Sequence, residues 1–141
     1  MRVCVIDGQG GGIGSVVIKR IKEVYGEEVE VWALGTNAIA TAQMMKARAN
    51  RGATGENAVI TSVAQADVII GPLGIVLANA MMGEVTPAMA AAVASCRARK
   101  ILLPLTQENV EVAGASREPL PHLVEEIVTQ RLKEMMEDVR G

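Results

Sequence analysis

Near-continuous apolar runs at Arg2–Ile6, Val29–Leu34, Ala58–Thr61, Asp67–Gly71 and Lys100–Leu105 alternate along this chain with segments of helical period. A strand that is apolar at every position is covered on both faces, and such strands build parallel sheets joined by helical crossovers. The first helix, Ile13 to Tyr25, sets Ile13, Val17, Ile21 and Val24 on one stripe against Lys19, Arg20, Lys22 and Glu23, and stops at Gly26. A second begins near Thr36 and Asn37, residues that cap well, and finishes in Lys46, Arg48 and Arg51, basic groups suited to the negative dipole end. Gly71-Pro72-Leu73-Gly74 breaks the pattern after the fourth strand. A short helix to Met82 follows, then another with Thr86 as cap and Pro87 as first residue. Thr106 to Asn109 reads as a turn, and Val110–Ala113 alternates as a short strand, so an antiparallel edge hairpin is expected there.

From Leu120 to Val139 a last helix presents Leu120, Leu123, Val124, Ile127, Val128, Leu132, Met135 and Val139 opposite Glu125, Glu126, Arg131, Lys133 and Glu134. With no repeat, linker or low-complexity tract, residues 1–141 read as one α/β domain. The pattern predicts three layers around a doubly wound, mainly parallel sheet of order three-two-one-four-five.

The chemistry concentrates where the first strand runs into the first helix. Gly8, Gln9, Gly10, Gly11, Gly12, Ile13 and Gly14 place five glycines in seven residues. Such a loop turns sharply, lets backbone approach an anion, and aims free N–H groups and a helix dipole at it. It reads as the phosphate-binding turn of a Rossmann-like unit, although a tight turn holding no ligand would also use glycine. The spacing of Gly8, Gly12 and Gly14 is similar to that of short-chain dehydrogenases. Their Tyr-x-x-x-Lys pair is absent after Tyr25. In such a fold the loops after the first, second and fourth strands converge at the switch point, which brings Thr36 and Asn37, and Gly71, Pro72 and Gly74, to the same crevice.

Two residues complicate a dinucleotide. The carboxylate that normally ends the second strand and holds the adenosine ribose is missing from Ala33-Leu34-Gly35-Thr36-Asn37, which favours NADP(H) slightly over NAD(H). Asp7 would repel a pyrophosphate unless it turns away, is bridged by Mg²⁺ or, as expected first, turns back to brace N–H groups of the loop at Gln9 or Gly10. Asn79 and Glu84 can reach the crevice but read first as surface residues, and Arg51–Asn57 reads as a loop at the far end of the sheet. His122 reads as a solvated residue in the first turn of the last helix. The Met pairs 44–45, 81–82 and 135–136 read as adaptable packing in a core or subunit contact.

Bulk properties narrow the partners. A net charge of −2 and two aromatic residues, Trp32 and Tyr25, offer neither the basic surface nor the stacking platforms of a nucleic-acid binder. Leu73 to Cys96 is interrupted by Gly83-Glu84 and Thr86-Pro87, so no membrane span is expected. Half the residues are hydrophobic and 21% charged, too little polar surface for a small monomer, which points to a homodimer through Met-rich faces or the Val110–Ala113 edge. Cys4 and Cys96 fit neither a zinc site nor a redox pair, and with no signal peptide the chain reads as cytoplasmic, with no metal.

The stretches VIDGQGGGIG (5–14), ALGTNAIAT (33–41), GATGENAVI (52–60), ADVIIGPLGI (66–75), ILLPL (101–105) and PLPHLVEE (119–126) together resemble the bacterial family catalogued as domain of unknown function 3842. The resemblance covers nearly the whole chain. It implies a small cytoplasmic protein, chiefly of Firmicutes, similar to nucleotide-binding Rossmann domains, with no catalytic residues to carry over. Three classes of function fit these observations. They are a non-catalytic or regulatory nucleotide-binding module, a small enzyme on a phosphorylated or nucleotide substrate whose site a second subunit completes through Asp7, Glu84 or His122, and an interaction protein with a vestigial loop.

Overall fold

A computed structural model describes residues 1–105, 108–115 and 117–140, the side chains of 139 and 140 excepted. Thr106 and Gln107, read above as part of a turn, and the side chain of Val139 lie outside the described residues. Five strands, β1 (Arg2–Asp7), β2 (Glu30–Gly35), β3 (Arg51–Thr54), β4 (Val68–Pro72) and β5 (Arg99–Leu103), form one sheet of order β3-β2-β1-β4-β5. Every pair is parallel. This is the expected doubly wound α/β topology, with the switch point between β1 and β4.

The two faces of the sheet explain the continuous apolar runs. Val3, Val5, Val31, Ala33, Val68 and Ile70 face one core, shared with Val17, Ile18 and Ile21 of α1 (Gly12–Tyr25), Met44 of α2 (Ala38–Lys46) and the C-terminal helices. The alternate positions Cys4, Ile6, Trp32, Leu34 and Ile69 face a second core under α3 (Glu56–Val63) and α4 (Pro87–Ser95). Each central strand thus has no polar side to show.

Two expectations are corrected. Ala58–Thr61 is helical, lying in α3, and the third strand is Arg51–Thr54 instead. A four-residue apolar run cannot by itself separate helix from strand; here Val59 and Val63, one turn apart, are buried while Ile60 is 36% exposed. The true strand is an exposed edge of small and charged residues, so it carries no hydrophobic signal. The second correction concerns Val110–Ala113, which pairs with no strand, leaving an all-parallel sheet edged by β3 and β5. Glu108 accepts from the Met81 N–H at 2.7 Å, which ties the chain just before this stretch to the β4–α4 connection.

The last helical pattern is interrupted rather than continuous. α5 (Leu120–Glu126) passes through a π-helical turn, Ile127–Arg131, into α6 (Leu132–Arg140). Tyr25 at the end of α1 donates its hydroxyl to the Val128 carbonyl at 2.6 Å, satisfying an acceptor within the widened turn. No described helix is long and apolar enough to cross a membrane.

Candidate functional site

The loop after β1 is held by its own backbone and by Asp7. The Gly11 N–H donates to the Gly8 carbonyl at 2.9 Å, and Gln9 and Gly11 both take left-handed backbone, with φ of 50° and 74°. Asp7 is 4% exposed, and it braces different N–H groups from those expected: Gly8 donates to its Oδ1 at 2.8 Å and Gly14 to its Oδ2 at 2.7 Å. Burial raises its pKa, while the N–H groups of Gly14, Gly8 and Ile13 oppose that rise. A raised folded value means that ionising Asp7 costs stability as pH climbs through it, and those N–H groups limit the cost.

The glycines of the site have different reasons to be glycine. A Cβ on Gly14 would stand 2.5 Å from Met44 Sδ and 3.0 Å from Asp7 Cβ, so this residue lets α1 pack onto β1. On Gly8 it would collide with Thr36 Oγ1 and with Met81 Sδ at 2.5 Å, and on Gly11 with the Ala40 backbone at 2.8 Å. On Gly71 a Cβ would stand 2.5 Å from the Ile6 carbonyl oxygen, so this glycine lets β4 lie close against β1. Gly10 and Gly12 stand apart. A Cβ on either would meet nothing within 4 Å, and neither has a positive φ. No described contact requires these two to be glycine.

Glu84 is the residue that sequence reasoning undervalued. The expected short helix to Met82 is only a 3-10 turn, Leu73–Val76, followed by left-handed backbone at Asn79, Met81, Met82 and Gly83. Buried Ala80 and Val85 anchor this connection, bonded to each other by Val85 N–H to Ala80 carbonyl at 3.1 Å, and Glu84 projects back over the loop. Its Oε1 accepts from the Gln9 N–H at 2.9 Å, the Thr36 hydroxyl at 2.7 Å and the Asn37 amide at 2.8 Å. Partial burial pushes its pKa up, but these donors outweigh burial and hold it below the usual carboxylate range. Asn37 caps α2 as expected, its Oδ1 accepting from the Ala40 N–H at 2.8 Å, while its amide also reaches the Gln9 carbonyl at 3.0 Å. Thr36 serves Glu84 and does not cap.

Beside the loop lies a cavity of about 630 Å³, at the carboxyl ends of β1, β4 and the chain after β5. Asp7, Gln9, Ile13, Pro72, Gly74 and Leu105 are in its wall, which brings the first-strand and fourth-strand loops together. The Met81–Met82 pair, expected in a core or subunit contact, lines this cavity as well.

The family described as Domain of unknown function (DUF3842) matches residues 2–137. The chain belongs to this family. No curated protein matches it. Among solved structures it is similar to a dodecameric FMN-dependent Ubix-like decarboxylase from Escherichia coli O157:H7, at 16% identity and a TM-score of 0.51, over 96% of this chain and 94% of that one. That likeness shows a shared fold. A universal stress protein in complex with cAMP matches at 17% identity and a TM-score of 0.40, over 71% of this chain and 94% of that one, too distant to bear on the site.

In this DUF3842 member Asn79, read above as a surface residue, also lines the cavity, whereas His122, Arg51–Asn57 and Cys4 do not. His122 is exposed on α5, its Nδ1 3.0 Å from Glu118 Oε2, and is not in the cavity wall. The Arg51–Asn57 stretch is not a far-end loop: it contains β3, and Gly55, at φ 97°, turns into α3 at the same end of the sheet as the glycine loop. Cys4 is buried in β1, where burial pushes its thiol up to about 12. Among the described residues no three or more His, Cys, Asp or Glu side chains gather as a metal site.

Proposed function

We propose that this chain is a nucleotide-binding module of regulatory or carrier type, with the phosphates of a dinucleotide, NAD(H) or NADP(H), lying over Gly10–Gly12 at the start of α1. The observation that carries this reading is that Gly10 and Gly12 are open to solvent with no contact or backbone angle that calls for glycine. Close approach of an anion to the backbone supplies the missing reason. Asp7 does not oppose it, because its carboxylate is already bonded by the N–H groups of Gly8 and Gly14. The adjoining cavity of about 630 Å³ has the size of a small-molecule site and would take the second nucleoside half.

Binding fits this site better than catalysis. Asp7 and Glu108, the titratable groups in the cavity wall, both accept from backbone N–H groups as parts of the scaffold. The decisive experiment is thermal stabilisation by NAD(H), NADP(H), FMN, ATP and S-adenosylmethionine, FMN being included because the Ubix-like decarboxylase depends on it. A ligand at a hundred times its Kd adds about 2.7 kcal/mol to stability. A dinucleotide is expected to do so. Silence across the panel, or a response to S-adenosylmethionine alone, overturns the reading.

We place the protein in the cytoplasm, where the free thiols Cys4 and Cys96 would stay reduced. We also propose a homodimer, because Ile39 is 67% exposed and Met45 39% exposed on α2, with Val16 39% exposed on α1. Sedimentation equilibrium at micromolar protein is expected to give the dimer mass, and a monomer throughout would remove it.

A further inference from the structure

The second strand of this protein ends without the carboxylate that a ribose next to the glycine loop would need, yet the fold brings one to that place from another element. Glu84 arrives from the β4–α4 connection, and its Oε1 lies within 2.9 Å of donors on the glycine loop and on both residues that follow β2, Thr36 and Asn37. Resting on the nucleotide reading above, we propose that Glu84 selects the ribose beside the loop. Its Oε2 accepts from the 2′- and 3′-hydroxyls and rejects a 2′-phosphate.

The geometry divides the carboxylate into two roles. All three donors fall on Oε1, which fixes the side chain, and no described residue donates to Oε2. A diol supplies two O–H donors of the kind a free carboxylate oxygen takes up. The donors to Oε1 are neutral, and no described Lys or Arg is paired with Glu84, so among the described residues the charge is not cancelled by a partner. A 2′-phosphate would meet that charge at close range with no guanidinium to receive it. The connection is fixed rather than loose: Ala80 and Val85 are buried on either side, and the Met81 N–H is held by Glu108. The preference read from the second strand alone, NADP(H) before NAD(H), is thereby reversed.

A purely structural Glu84 would lock the loop and leave ligand choice untouched, so the test separates locking from selection. Glu84→Gln keeps an amide oxygen for the three Oε1 donors but removes the charge and places an N–H group at the Oε2 position. By titration calorimetry the unaltered protein is expected to bind NAD⁺ at least roughly tenfold more tightly than NADP⁺. In Glu84→Gln the gap should shrink to within about threefold, chiefly through weaker NAD⁺ binding. Equal affinities in the unaltered protein, or an undiminished gap in Glu84→Gln, overturn the assignment while leaving dinucleotide binding in place. If Glu84→Gln does not fold, the NAD⁺ to NADP⁺ ratio of the unaltered chain decides alone: a ratio near one or below overturns the proposal. Binding of neither dinucleotide overturns it together with the reading on which it rests.

Discussion

Asn37 ties three parts of the site together through one side chain. Its Oδ1 caps α2 through the Ala40 N–H, and its amide donates to the Gln9 carbonyl and to Glu84 Oε1. Asn37→Asp would keep the cap and turn a donor toward Glu84 into a second carboxylate. We expect a loss of about 1–3 kcal/mol at pH 7. The pH dependence has a definite sign. In the unaltered protein Glu84 titrates below its ordinary 4.5, so its contribution is present above that value and lost as pH falls through the lower folded one. In Asn37→Asp two carboxylates share the place, one folded pKa rises, and stability is lost as pH rises through it. Urea denaturation from pH 4 to pH 8 should show the difference widening toward neutral pH. A constant difference would mean that the amide acts through packing alone. The cap was legible in the sequence, because Asn before an apolar run has a local cause. The bond to Glu84 was not, since nothing local relates residues separated by 47 positions.

At the level of elements, the strands that were legible are those with apolar runs, whether buried on both faces like β1, β2 and β4 or half-buried like the edge strand β5. Parts of β1, β2, β4 and β5 announce themselves as apolar runs, whereas β3, whose sequence is Arg-Gly-Ala-Thr, is an exposed edge specified by its place beside β2. Helices with local caps were equally legible: Thr86 Oγ1 accepts from the Met89 N–H at 3.2 Å at the start of α4, as its Thr-Pro signal predicts. The π-helical turn between α5 and α6 left no such sign, because its apolar face continues through it. It is held from outside by the Tyr25 hydroxyl on the Val128 carbonyl. Tyr25→Phe should therefore cost about 1 kcal/mol and raise amide exchange in Ile127–Arg131 first. Unchanged exchange there would show that core packing holds the turn without the bond.

The sheet order was legible for the whole molecule because alternating strands and helices leave few ways to bury both faces of a parallel sheet. Where a ligand would meet the fold was legible in part. The glycine loop marks the switch point from local sequence, but only the fold sorts its glycines into those that pack and those that leave space. Gly8, Gly11 and Gly14 are crowded by Thr36 and Met81, by the Ala40 backbone, and by Met44 and Asp7, whereas Gly10 and Gly12 are crowded by none of the described residues. The proposed nucleotide site stands or falls on whether these two leave room for a phosphate. Gly12→Val tests it most directly, by calorimetry and thermal unfolding with NAD⁺ as the probe. Without nucleotide its melting temperature should lie within about 2 °C of the unaltered protein's, because the added Cβ meets open space, and NAD⁺-induced stabilisation should be lost. NAD⁺ stabilisation of Gly12→Val equal to that of the unaltered protein would contradict it.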